Sequence, residues 1–128
     1  MLVIPVGTEA NEGSLNARLR PVAENPVALD FALEDQFGEV RRLSQFRGQV
    51  VVVNFWATWC GPCLAELPTM QTLWELFSDG PFEFLAINVG EDWPTISRFL
   101  DGFKSPLGFR ILIDPEMRVV REWQVRGV

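Results

Sequence analysis

The sequence predicts an α/β fold, and three observations lead to it. β-branched and aromatic apolar runs recur at Val50–Phe55, Phe82–Val89 and Phe109–Ile113. Segments with helical spacing fall between and after them, and Gly, Pro or Asp marks the junctions. Strands alternating with helices imply parallel pairing through right-handed crossovers. The chain has 128 residues, is 48% hydrophobic and 22% charged, and so predicts one globular domain rather than a disordered chain. There is no internal repeat, low-complexity tract or second domain.

Residues 1–25 mix Gly, Asn, Glu, Pro and Ser without periodicity. They read as a flexible lead-in with a helical turn near Leu15–Leu19. Met1–Val6 is apolar but too short for a signal core, and neither a basic n-region nor a cleavage site accompanies it. The domain proper spans residues 26–128. Phe31-Ala32-Leu33 and Val40–Leu43 flank a segment containing Gly38, which predicts a hairpin. Ser44 is placed to cap a single turn, Ser44–Phe46, before Arg47-Gly48 leads into the next strand. That strand, Val50–Phe55, is apolar on both faces and reads as buried.

Trp59-Cys60-Gly61-Pro62-Cys63 follows, and here the chemistry concentrates. Pro62 fits the first turn of a helix, where its missing N–H is not needed. A helix opening near Cys60 puts free N–H groups and the positive end of the dipole beside that sulfur, and both favour thiolate. Cys63, three residues on, can close a disulfide. The pattern reads as a dithiol/disulfide redox site. A stapling disulfide or two buried thiols are the alternatives, but so small a ring constrains little of the unfolded chain. Leu64, Leu67, Met70, Leu73, Trp74 and Phe77 make the apolar face of the helix, Pro68 predicts a kink, and Asp79-Gly80-Pro81 ends it.

After Phe82–Val89, Asp92 is the expected N-cap of a helix with Pro94 in its first turn, running to Leu100 or Phe103. Lys104–Gly108 is a loop, Phe109–Ile113 a strand, and Asp114-Pro115 opens a helix through about Trp123. Trp56, Trp74, Trp93 and Trp123 are expected to pack in the core, and Arg41-Arg42 to project into solvent. Glu91-Asp92 reads as loop and cap, with too few carboxylates for a metal.

Composition removes several function classes. The net charge of −6 and a pI near 4.6 provide no basic footprint for nucleic acid. With no histidine, Ser-His-Asp and Cys-His pairs and histidine metal ligands are excluded. Two cysteines cannot build a four-thiolate zinc site. No metal or cofactor is expected. No apolar run reaches the roughly 18 residues of a membrane span.

NFWATWCGPC, with Glu66 and Pro68 behind it, resembles thioredoxin-fold proteins of the TlpA/ResA type. The resemblance extends over residues 26–128. It takes in Leu43–Gly48, Ile87–Asp92, the strand ending at Asp114 and the closing WQVRGV. It implies a thioredoxin-like mixed sheet with an N-terminal hairpin and flanking helices. It also implies a thiol–disulfide oxidoreductase in which Cys60 attacks and Cys63 resolves. Trp59 is then the tryptophan that shapes the docking surface, and Glu66 an acid that modulates the thiols. Gly61-Pro62 resembles the dipeptide of reducing thioredoxins, which implies a reductase of protein disulfides supplied by an upstream thiol reductant. The family points to the periplasm or another extracytoplasmic site, although the residues are compatible with the cytosol. Reduction of apocytochrome cysteines is one pathway within the family, and nothing in the residues selects it.

In that family a cis-proline segment, two strands and a final helix follow a sequence like VRGV, where this chain reaches Val128. The expectation is an open edge on the Val50–Phe55 strand. Either a second copy, making a homodimer, or a segment such as residues 1–25 should cover it. Two other functions stay in view. One is a binding or assembly module with weak catalysis. The other is a peroxiredoxin-like peroxidase, but its P-x-x-x-T-x-x-C pattern is not met, because Thr58 stands only two residues before Cys60.

Overall fold

A six-stranded mixed sheet organises the chain, which the structure, a computed structural model, describes at residues 2–5, 27–103 and 106–126. In chain order the elements are β1 (Leu2–Pro5), β2 (Ala32–Asp35), β3 (Val40–Arg42), a 3₁₀ turn (Leu43–Phe46), β4 (Val50–Trp56), α1 (Gly61–Phe77), β5 (Phe82–Val89), α2 (Trp93–Leu100), β6 (Arg110–Asp114) and α3 (Arg118–Glu122). The strand order is β1-β4-β5-β6-β2-β3. β4, β5 and β6 run parallel, while β1 on one flank and the β2–β3 hairpin on the other are antiparallel to their neighbours. The α/β expectation is met.

Period-two alternation along the strands divides the core into two layers. Val52, Trp56, Phe84, Ala86 and Ile111 face one side, where Leu67 and Met70 of α1 and Ile96 of α2 pack on them. Val51, Val53, Leu85, Ile87 and Leu112 face the other side and meet Val119 of α3, with Leu43 and Phe46 of the 3₁₀ turn. Covered on both faces, β4 is apolar at every position but one. Its buried polar residue, Asn54, donates from Nδ2 to the Met70 sulfur at 3.3 Å. Trp56 is fully buried, and Trp74, Trp93 and Trp123 pack against the two layers, as expected of core residues.

Several local expectations need correction. Leu2–Pro5, placed in a flexible lead-in, forms β1 and pairs with Val50–Val53, so the edge of β4 is covered in one of the two expected ways, by a segment within residues 1–25. The helical turn expected near Leu15–Leu19 lies outside the described residues. The 3₁₀ turn begins at Leu43 and Ser44 does not cap it: the Gln45 side chain accepts from the Arg42 N–H at 3.2 Å, and the Ser44 N–H donates to Asp30 at 2.9 Å. α1 continues through Pro68 as one helix, with the Thr72 hydroxyl donating to the Pro68 carbonyl at 3.1 Å. α3 begins at Arg118 rather than at Asp114-Pro115. Asp114 still serves it from a distance, because its buried carboxylate accepts from the N–H groups of Arg118 at 2.9 Å and Val120 at 3.1 Å.

Arg41 does not simply project into solvent. Its Nε donates to Asp35 at 2.9 Å, and Arg110 approaches the same oxygen at 3.4 Å. The other Asp35 oxygen accepts from the N–H groups of Phe37 and Glu39. Burial pushes the Asp35 carboxyl up, but the bond from Arg41 and the two amides outweigh it and hold the group below its ordinary 3.8.

Two outcomes are expected. Removing residues 1–5 bares the outer edge of β4. Hydrogen exchange at the β1-facing amides of Val50–Val53 then speeds up, and light scattering shows concentration-dependent association. A carboxyl that ionises more readily in the folded state adds stability above its unfolded value, and that stability is lost as pH falls through the folded value. Resistance to urea therefore weakens with acidification below about pH 4, near the ordinary carboxyl value. Asp35→Ala costs about 3 kcal/mol at neutral pH and flattens that acid limb.

Candidate active site at the Cys60–Cys63 turn

The C-terminal end of β4 delivers the chain to a short turn, Ala57-Thr58-Trp59. The Cys60 N–H closes it on the Ala57 carbonyl at 3.1 Å. Cys60 then takes the N-cap position of α1 with extended backbone angles, and the Leu64 N–H donates to its carbonyl at 3.1 Å, the first helical bond. Pro62 occupies the first turn, where an N–H would have no carbonyl to meet. The Cys63 N–H is one of the orphan donors of a helix start, and it points at Cys60 Sγ from 3.3 Å. A serine or aspartate cap uses an oxygen for this role; here a sulfur does the same.

Cys60 and Cys63 form a disulfide, with Cα atoms 5.3 Å apart. Both residues belong to the layer containing Trp56, Ala57 and Leu67, and their exposures are 4% and 7%. Cys63 Sγ lies 4.0 Å from the Phe55 carbonyl, an acceptor for its proton once the bond is reduced. Trp59 is 68% exposed, and Gly61 and Pro62 lie at the surface beside it, so the buried sulfurs sit under an apolar, open rim. An amide and the positive end of a 17-residue helix favour negative charge on Cys60 Sγ when the disulfide opens.

The structure thus brings Cys60, Cys63, Trp59, Gly61 and Pro62 together. Glu66 is exposed on α1, and among the described residues no hydrogen bond or ion pair links it to either cysteine. Glu91 is the residue that sequence reasoning assigned no role. Its Oε2 accepts from the Thr58 N–H at 2.9 Å and from Asn88 Nδ2 at 2.8 Å, and its Oε1 bonds the Thr58 hydroxyl. The signal that could have found it is topological. β4 and β5 are parallel neighbours, so the turns that follow them emerge at the same end of the sheet. Asp92, the next residue, caps α2 as expected by accepting from the Thr95 N–H at 2.9 Å. Among the described residues no group of three or more His, Cys, Asp or Glu could hold a metal ion.

Comparison with known proteins gives a consistent set of relatives. The model of the AhpC/TSA family matches residues 25–128. The thiol-disulfide oxidoreductase ResA of Geobacillus kaustophilus (strain HTA426) is 40% identical over 104 residues, 81% of this chain and 59% of that protein. ResA of Bacillus subtilis (strain 168) is 33% identical over 104 residues, covering 81% and 57%. A Chlorobium tepidum crystal structure, assigned as a thiol:disulfide interchange protein DsbE, superposes with a TM-score of 0.72 at 34% identity, over 79% of this chain and 70% of that one. The exposed lipoprotein thioredoxin of Streptococcus pneumoniae (strain TIGR4) gives 0.67 at 26% identity, over 77% and 76%. The chain spans a little under three fifths of the length of these curated relatives.

Because the ring closed by the disulfide is so short, it is expected to add at most about 2 kcal/mol. Urea unfolding with and without dithiothreitol measures this directly, and a much larger loss on reduction would make the bond a structural staple.

Proposed function

The chain belongs to the AhpC/TSA family, and we propose that it is a thiol–disulfide oxidoreductase that reduces protein disulfides through the Cys60–Cys63 couple. One observation carries this: Cys60 Sγ is the N-cap acceptor of α1, held at 3.3 Å from the Cys63 N–H. In the reduced protein the Cys60 thiolate attacks one sulfur of a substrate disulfide. A mixed disulfide forms and the other substrate sulfur leaves as a thiolate. Cys63, deprotonated, then attacks Cys60 Sγ, releases the second substrate thiolate and closes the Cys60–Cys63 disulfide. Two electrons pass from the dithiol to the substrate, and an upstream thiol reductant returns them.

Residues 26–128 are read as the thioredoxin-like domain that carries this chemistry. The exposed indole of Trp59 offers apolar surface to a substrate polypeptide beside the site. Glu66 acts, in this reading, from the solvent face of α1 by tuning charge near the thiols. The Gly61-Pro62 dipeptide supports the reducing direction by its resemblance to reducing thioredoxins. An extracytoplasmic location is supported by a similar structure, that of an exposed lipoprotein thioredoxin. No helix among the described residues is long and apolar enough to cross a membrane. Dithiol exchange is preferred to peroxidase chemistry because Thr58 lacks the peroxidase spacing to Cys60 and its hydroxyl is bonded to Glu91.

Turnover of an insulin-type disulfide with dithiothreitol tests the proposal. The wild type is expected to turn over and Cys60→Ser to lose activity entirely. Cys63→Ser should accumulate a mixed disulfide detectable by mass. Equal inactivity of wild type and Cys60→Ser would leave the binding-module function in its place.

A further inference from the structure

Glu91 is partly buried at the end of β5 and accepts three hydrogen bonds, none of them from a cation. Two come from Thr58, through its N–H and its hydroxyl, and the third from Asn88, whose residue is fully buried and stands opposite Trp56 in the β4–β5 register. Thr58 lies within the turn that the Cys60 N–H closes on Ala57. A single carboxylate therefore ties the loop after β5 to the turn that sets Cys60 at the start of α1. Such a turn would otherwise be free to shift when the disulfide opens, and with it the alignment of Cys60 Sγ with the Cys63 N–H.

We propose that Glu91 is the positioning residue of the dithiol turn, holding Thr58 so that Cys60 Sγ stays aligned with the Cys63 N–H in the reduced protein. This rests on the reading of Cys60 as the attacking thiol. Glu91 acts through Thr58 rather than through its charge. A glutamine can satisfy the same partners: its carbonyl oxygen accepts from the Thr58 N–H and from Asn88, and its amide donates to the Thr58 hydroxyl. An alanine satisfies none.

The two cysteines make a clean readout available, because in a Cys63→Ser background Cys60 is the sole thiol. The pH dependence of iodoacetamide alkylation in that background reports thiolate formation without requiring turnover. With Glu91→Ala added, the midpoint should move to higher pH and the alkylation rate at neutral pH should fall about tenfold, the worth of one charge-assisted hydrogen bond. Glu91→Gln should restore the Cys63→Ser profile. Thr58→Val, which keeps the N–H bond and loses the hydroxyl bond, should give a smaller shift in the same direction and serves if Glu91→Ala fails to fold. A midpoint moving to lower pH in both Glu91 variants would show a charge effect and overturn the proposal. Unchanged profiles alongside reduced stability would overturn it as well, leaving Glu91 only structural. Failure of the insulin assay in the wild type would instead count against the oxidoreductase function, since alkylation does not depend on it.

Discussion

Parallel pairing of β4 with β5, in register from Val50 opposite Phe82 to Trp56 opposite Asn88, is the constraint on which the rest of the structure depends. It places the C-terminal ends of both strands at the same end of the sheet. From one end the chain turns into Cys60 and α1; from the other it turns through Glu91 into α2. The dithiol turn and its polar anchor meet there because the register leaves them nowhere else to go. A shift of one residue would reverse the faces of β4 and move Trp56 out of the layer that holds the cysteines.

The cost of this arrangement is a strand buried on both faces, which must find a partner along each edge. β5 supplies one and β1 the other. Two buried carboxylates elsewhere are paired on both oxygens. Asp35 collects two amides and two guanidinium groups at the hairpin, and Asp114 collects two amides at the start of α3. Each ties a strand end to a neighbouring element, adding polar bonds to the apolar contacts that hold the hairpin, β6 and α3.

Two influences act on the cysteines in opposite directions. Packing in an apolar layer disfavours a charged sulfur, while the end of α1 and the Cys63 amide favour one at Cys60. Cys60 has the cap position and Cys63 does not, so the two sulfurs are not equivalent. That asymmetry is what the proposed order of attack, Cys60 first, rests on. Trp59, Gly61 and Pro62 leave an exposed rim over the two buried sulfurs.

From the sequence alone, element types, the hairpin, the Asp92 cap and the Cys60–Cys63 pair were legible. Each is decided by neighbours a few residues apart, through hydrophobic period, capping chemistry or the reach of a side chain to the next turn. Tertiary structure alone decided that Leu2–Pro5 covers β4, that Arg41 and Arg110 converge on Asp35, and that Glu91 holds Thr58 across a separation of 33 residues. Those contacts depend on strand order and register. Local pattern carries no record of either, because any apolar strand can pair with any other until the whole sheet selects one arrangement.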